Sequence, residues 1–350
     1  MKLYLKNGYF DFKSVYESVG VPFLFITGGR GTGKTFGALK YLYKRKTPFM
    51  FLRRTNTQID TICEPAFSPF KPLNEEYGWS VIPEKITKYI GGFYEATPDT
   101  KTGKLVPSGD PFSYLCAINT IANIRGFDAS SIECILFDEF IPEAHERTIR
   151  GEAAALFNAY ETINRNRELN GRPPCKLVCL SNSNKVDNTI FSYLGIVRKI
   201  ENMKKKGKTM LIDRARHYAV ILLDDSPISN KKRSTAIYDL TSGTEFSKMS
   251  LDNDFNIDDS NIKIQSLKEY RFVVNVGRLS ILRHRAKRRY YVCGLIEQND
   301  NGITYYTDKP ADLRKFSRRY NKLYAAYLDR KILFDSAESE SLYNSYNKPL

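Results

Sequence analysis

Apolar residues in the first 200 positions gather in short unbroken runs, separated by stretches of helical period. VPFLFIT (21–27), PFMFLRR (48–54), YLCAI (114–118), ECILFDEF (133–140) and CKLVCLSN (175–182) each have a near-continuous apolar core. Strands with one wet face alternate apolar and polar residues, whereas strands covered on both faces do not. After the first run, KTFGALKYLYKRK (34–46) places Phe36, Leu39, Leu42 and Tyr43 on one helical face, with cations at its end. The pattern predicts an α/β domain built on a mostly parallel sheet. Residues 84–112 interrupt it with Gly91-Gly92, Pro98, Gly103, Pro107, Gly109 and Pro111, which predict a hairpin and a flexible excursion.

Beyond residue 200 the texture changes. Lys204-Lys205-Lys206-Gly207-Lys208 and the polar stretch 224–235 read as a linker subdomain. From 257 onward, YRFVVNV, RRYYVCGLI and GITYYTD read as strands, followed by a helix near 311–330, hence a smaller α+β domain. The expected division is 1–200, 201–256 and 257–350. The last fifteen residues, SAESESLYNSYNKPL, are Ser/Asn-rich and predict a mobile tail. The chain has no internal repeat.

Composition changes this picture in one respect. A length of 350 residues with 42% hydrophobic and 27% charged residues is ordinary for a globular protein. The balance of 54 Lys+Arg against 39 Asp+Glu, a net +15, is not. Positions 1–200 carry 26 bases and 20 acids, and 201–350 carry 28 and 19, so the halves hold +6 and +9. The excess is spread along the chain, which favours a polyanionic partner, nucleic acid above all, with a membrane surface as the other candidate. No stretch approaches the roughly 18 apolar residues of a membrane span, and the N-terminus lacks a signal-peptide core. The six cysteines form no C-x-x-C pair and no zinc spacing with His, and are expected as buried free thiols of a reducing cytosol.

The most specific local signal is Gly28-Gly29-Arg30-Gly31-Thr32-Gly33-Lys34-Thr35, which matches G-x-x-x-x-G-K-[ST] at every fixed position. Such a loop turns successive N–H groups toward phosphate oxygens at a helix N-terminus; its lysine reaches the β/γ-phosphates and its hydroxyl ligands Mg2+. The strand before it and the helix after it are both present. A phosphate loop alone does not distinguish kinases, GTPases, transporters and motors. The strand Cys134-Ile135-Leu136-Phe137 adds a discriminator, because it ends in Asp138 and Glu139. The first acid suits Mg2+, and the second suits the base that orients or deprotonates an attacking water. ATP and Mg2+ are therefore the expected cofactors, with ATP hydrolysis as the reaction. Ser181-Asn182, at the end of CLSN, is a candidate γ-phosphate sensor lying between the two motifs. Arg30, Arg125, Arg165 and Arg167 are candidates for stabilising transition-state charge, although a single arginine is more often a surface or capping residue.

GGRGTGKT, FLRR, ILFDEFI, NRNRE, CLSN and SGTEFSKMSLDNDF occur in this order. Together they resemble the DNA-packaging ATPases of phi-29-type bacteriophages, distant relatives of large terminases. The resemblance covers about residues 20–255, and SGTEFSKMSLDNDF is its most specific part. It implies a P-loop fold of the ASCE type and a ring of subunits, a pentamer in that family, at the portal of an empty capsid. Such a ring translocates double-stranded DNA without reading its sequence, in the cytoplasm of the infected host, with no membrane and with a scaffold RNA as a candidate partner. It implies Lys34, Thr35 and Asp138 on Mg-ATP, Glu139 as base, and Arg165 as a finger acting across a subunit interface. It also implies Arg125 as a second basic residue at that interface. The family's basic position beyond the FLRR-like strand falls on Asn56, so a DNA-gripping role does not carry over there. Arg53 and Arg54 are open as structural or pore-facing residues.

The resemblance also implies an RNase H-like C-terminal domain. Two-metal cleavage needs carboxylates on its first strand. Here that strand is Arg271-Phe272-Val273-Val274-Asn275-Val276-Gly277, which has none. The reading is a nuclease-like shell without nuclease activity, serving DNA or portal contact through Arg283, Arg285, Lys287, Arg288 and Arg289. Two alternatives stand beside the motor: another DNA-remodelling ATPase or helicase, and a nucleotide-gated nucleic-acid-binding switch with incidental hydrolysis.

Overall fold

The computed structural model describes residues 1–350 apart from 125–126, 143–148, 150, 184, 187, 224–225, 233, 242–260, 262, 264, 297–304 and 348–350. The segment SGTEFSKMSLDNDF and Arg125 thus lie outside the described residues. The chain forms two compact units, one of Met1–Asn184 with Met203–Phe255, the other of Lys185–Asn202 with Asn256–Leu350.

The first unit is built on a ten-stranded sheet. Its strands are β1 (Phe23–Gly28), β2 (Phe49–Arg53), β3 (Val81–Lys85), β4 (Gly91–Pro98), β5 (Leu105–Pro107), β6 (Ser113–Ala117), β7 (Cys134–Asp138), β8 (Lys176–Ser181), β9 (Met210–Asp213) and β10 (Tyr218–Leu223). The order is β3-β4-β6-β2-β7-β8-β1-β10-β9, with β5 paired to β4. From β6 to β10 all neighbours are parallel. The antiparallel pairs lie at the two edges, where β3, β4 and β5 form the hairpin region expected over 84–112. The unbroken apolar runs are buried over nearly their whole length, as two-sided cover requires.

The strand order sets the site. The phosphate-loop strand β1 and the acid strand β7 are not neighbours, because β8 lies between them and pairs in parallel with both. The added strand places Ser181 opposite Thr27 and Leu180 opposite Asp138. All three strands therefore present their carboxyl ends at one edge, where ligands of open α/β sheets bind. On the other side of β1, Gly28 faces Leu223 of β10 so closely that a Cβ on the glycine would lie 2.5 Å from the leucine Cβ. The first glycine of the motif thus serves the strand contact.

Residues 203–223, which texture assigned to a linker, supply β9 and β10 of this sheet, and 185–202 group with the second unit. YAVILL (218–223) is as apolar as the other core strands, but the polar stretches on either side of it set the apparent boundary.

The second unit holds a five-stranded sheet in the order β14-β11-β12-β13-β15. Its strands are β11 (Tyr270–Val276), β12 (Leu279–His284), β13 (Tyr290–Gly294), β14 (Tyr305–Tyr306) and β15 (Ile332–Phe334). The first three form an antiparallel meander, and β14 and β15 add in parallel at its edges. Helices Pro310–Arg319, Asn321–Leu328 and Ala337–Tyr346 follow, giving the expected α+β composition. The tail read as mobile is the last of these helices. Ser336 caps it by accepting from the Ser339 N–H, and Tyr343 and Tyr346 pack into the core with Phe334 and Val292. Two aromatic rings at helical spacing outweigh the Ser-rich composition around them.

Candidate active site

At the carboxyl edge of the large sheet, β1 runs into the glycine loop and the helix Lys34–Lys44 begins directly after it. Lys34 is buried, and its Nζ donates to the carbonyls of Gly28 at 2.7 Å and Gly29 at 2.9 Å, and to Thr32 Oγ1 at 3.2 Å. Burial pushes its pKa down to about 7; Asp138 opposes that shift, while Lys232 adds to it. The ammonium is folded into a loop shaped for phosphate, where its contacts are dipoles rather than a bonded carboxylate.

Thr35 Oγ1 donates to Asp138 Oδ1 at 2.9 Å, joining positions 103 residues apart. A hydroxyl and a carboxylate are the hard oxygen donors Mg2+ prefers, and at this separation both can ligate one ion. Among the described residues no group of three or more His, Cys, Asp or Glu could hold a metal. A Mg2+ here would take its remaining ligands from phosphate and water, as that ion commonly does.

Glu139 follows Asp138 with φ +58, a left-handed conformation uncommon for a non-glycine residue. The turn carries its carboxylate away from the strand. Arg53, at the end of β2, bridges both acids through Nη2–Asp138 Oδ2 at 3.1 Å and Nη1–Glu139 Oε2 at 2.5 Å. Asn182 Nδ2 reaches Glu139 Oε1 at 3.5 Å. The expected sensor pair therefore divides. Asn182 meets the base candidate, while Ser181 Oγ accepts from the Ser183 N–H at 2.9 Å and closes the turn after β8.

The arginines separate by environment. Arg53, open in sequence as pore-facing or structural, is 16% exposed and engaged with the two acids. Of the two readings open for Arg54, its surroundings fit the structural one and not the pore-facing one: its Nε bonds Glu152 Oε1 at 2.8 Å, with both side chains almost fully buried, which keeps it from a DNA backbone. Arg167 is also buried, and donates to the carbonyls of Ile132 at 2.7 Å and Pro173 at 3.2 Å. Arg165 is exposed, just past the helix Glu152–Asn164, with φ +46 and ψ −132. A non-glycine residue so placed carries local strain, a feature that gathers at functional sites. Arg30 is exposed within the loop, and its carbonyl accepts from Lys232 Nζ. Sequence reasoning gave Arg53 no part at the acids and did not mark Lys232 at all; neither partnership has a local signature.

In the second unit, Arg283, Arg285, Lys287 and Arg288 are exposed on the β12–β13 hairpin, and Arg289 is partly covered. Buried His284 organises that turn, its Nδ1 accepting from the N–H groups of Ala286 and Lys287, both at 3.0 Å. Asn275, on the strand where a nuclease needs an acid, accepts from Ser280 Oγ at 2.6 Å through its Oδ1. No helix among the described residues is long and apolar enough to cross a membrane.

A glycine loop on β1, an acid pair on β7 and an added strand between them define a P-loop NTPase of the ASCE type. The podovirus DNA encapsidation protein (Gp16) family model matches residues 115–282. The DNA packaging protein of Bacillus phage B103 is 30% identical over 262 residues, covering 72% of this chain and 70% of the relative. That of Bacillus phage phi29 is 26% identical over 262 residues, covering 72% and 68%. Among solved structures, the phi-28 gp11 DNA packaging motor is similar with a TM-score of 0.66 at 19% identity, over 99% of both chains. The bacteriophage phi-29 genome packaging motor assembly gives 0.59 at 19% identity, over 98% of both. The chain belongs to the podovirus DNA encapsidation family, and these structures share its fold.

Proposed function

We propose that this chain is an ATP-hydrolysing motor subunit that moves double-stranded viral DNA into an empty capsid, working at the portal in the cytoplasm of an infected bacterium. The observation that carries the reading is the Thr35–Asp138 contact across the added strand, which joins the phosphate loop to the acid strand in a member of an encapsidation family. The loop N–H groups and Lys34 would hold the phosphates, and Thr35 with Asp138 would hold Mg2+. The ion, when bound, neutralises charge on the β- and γ-phosphates. Glu139 accepts the proton of the attacking water, and Asn182 holds its carboxylate in place. Arg53 must release Glu139 for that step, so its bridge marks a resting arrangement.

Arg165, exposed and on strained backbone, would complete a neighbouring subunit's site in a ring; Arg125 is the second candidate there. The exposed basic hairpin of the second unit suits phosphate or portal contact without base reading. A strand β11 without an acid supports the absence of nuclease chemistry. The test is ATPase activity of the full chain with double-stranded DNA, with and without purified empty capsids. Stimulation by DNA and capsids together is expected. Strand separation without capsid dependence would favour the helicase reading, and slow turnover indifferent to both would favour the switch.

A further inference from the structure

The phosphate loop has a cation that its motif does not contain. Lys232 ends the short helix Pro227–Lys232, and its Nζ donates to the Arg30 carbonyl at 2.7 Å, spanning 202 positions of sequence. The approach is close enough that a Cβ built on Gly31 would collide with that nitrogen. The left-handed turn at φ +69 is what favours glycine here, and the flexible end of Lys232 lies in the space beside it. Lys232 is half-buried, and burial lowers its pKa. Among the described residues its partner is a carbonyl, with no carboxylate in ion-pair distance.

Its charge is felt at Lys34, whose ammonium it disfavours. Two lysine side chains thus lie on one small loop, each donating to loop carbonyls, and the charge of Lys232 disfavours that of Lys34. At Lys232 the carbonyl satisfies a donor without neutralising the charge, so the arrangement favours a polyanion. Lys34 marks where the β/γ end of a nucleotide lies in such a loop, and Lys232, bonded to the loop at Arg30, is near enough for its charge to act on Lys34.

We propose that Lys232 is a second phosphate ligand of the loop, exchanging the Arg30 carbonyl for the terminal phosphate of a bound nucleoside triphosphate. The short helix Pro227–Lys232 then follows the nucleotide state, gripping the loop differently with triphosphate and diphosphate. This inference rests on the nucleotide reading of the loop given above.

The experiment compares the full-length wild type, Lys232→Gln, Lys232→Arg and Lys34→Ala, titrating the fluorescent analogues mant-ATP and mant-ADP with Mg2+. One charge-assisted hydrogen bond to phosphate corresponds to about a tenfold change in affinity. Lys232→Gln is expected to weaken mant-ATP by about that factor and mant-ADP by much less, with the same thermal midpoint as wild type without nucleotide. Lys232→Arg should restore most of the preference for triphosphate, because it keeps the charge. Equal losses for the two nucleotides, or a Gln variant that binds mant-ATP like wild type, would overturn the proposal. So would an Arg variant, folded by its thermal midpoint, with no triphosphate preference. Wild type that binds neither analogue would instead overturn the nucleotide reading itself, and Lys34→Ala provides the non-binding reference.

Discussion

Both sheets carry polar residues in or at the ends of core strands, and the two sets could hardly differ more in how they are held. At the edge of the large sheet, Asp138, Glu139, Arg53 and Lys34 are charged groups within one small region, and their partners are exchangeable. Arg53 spans two acids, and Lys34 rests on carbonyls. On the small sheet, Asn275 and Ser280 are neutral, buried and mutually bonded. Ser280 Oγ also accepts from the Ile296 N–H at 2.8 Å, and the Asn275 amide reaches the Ile296 carbonyl at 3.5 Å. The first arrangement gains when a charged ligand replaces its internal partners. The second has its polar atoms already satisfied, so it stabilises a fold and invites no ion.

That contrast can be broken in several ways. The largest expected effect is on Arg165→Ala, which should lower the ATPase of the assembled ring by about 10³–10⁵ while leaving single-subunit nucleotide binding intact. Mixing it with Lys34→Ala should recover activity, since the two defects then fall at different interfaces; failure to complement would remove the trans role. Glu139→Gln should retain nucleotide binding and lose about 10²–10⁴ in turnover, read by single-turnover hydrolysis. Near-normal turnover would assign the base elsewhere. Asn275→Asp challenges the comparison from the other side. It buries a carboxylate and deletes the donor to Ile296, so chemical denaturation should show a loss of about 1–3 kcal/mol, with no nuclease activity in Mg2+ or Mn2+. Cleavage of DNA by that variant would mean the small sheet keeps a latent metal site.

The smallest signal is a fraction of a proton. Lys34 has its pKa lowered to about 7 without nucleotide, so above that pH it is mostly neutral. A bound polyphosphate favours the charged form and raises the pKa, so binding must take up protons. The uptake should be small below about pH 6, where Lys34 is already charged, and should grow from about pH 7 to 9. Calorimetric titration with ATP in two buffers of different ionisation enthalpy reads it directly. Heats independent of buffer at pH 8 would show that the ammonium keeps its proton in the nucleotide-free loop.

Short-range pattern alone determined much of this protein. The glycine loop, the acid pair and the unbroken apolar strands are contiguous in the chain, so their type and direction follow from neighbours a few positions away. The resemblance to packaging ATPases is carried by such contiguous motifs too. Where composition opposed a less obvious pattern, local reading went astray: the Ser-rich tail forms a helix because Tyr343 and Tyr346 bury their rings, and YAVILL completes a sheet from within an apparent linker.

Tertiary structure decided which charged residues meet. Placing β8 between β1 and β7 brings Asn182 to Glu139, while Thr35 reaches Asp138 across the edge. The same packing buries Arg54 against Glu152 yet leaves Arg53, its neighbour in sequence, on the acids. Arg53 is the last residue of β2 and Arg54 lies in the bend just after it, and that bend sends one arginine to the core and leaves the other at the site. Lys232 is 202 positions from the carbonyl it bonds, a separation over which no local periodicity carries information. Ion pairs and hydrogen bonds act over a few ångströms, and only the order of strands and the ends of helices decide which distant groups come that close.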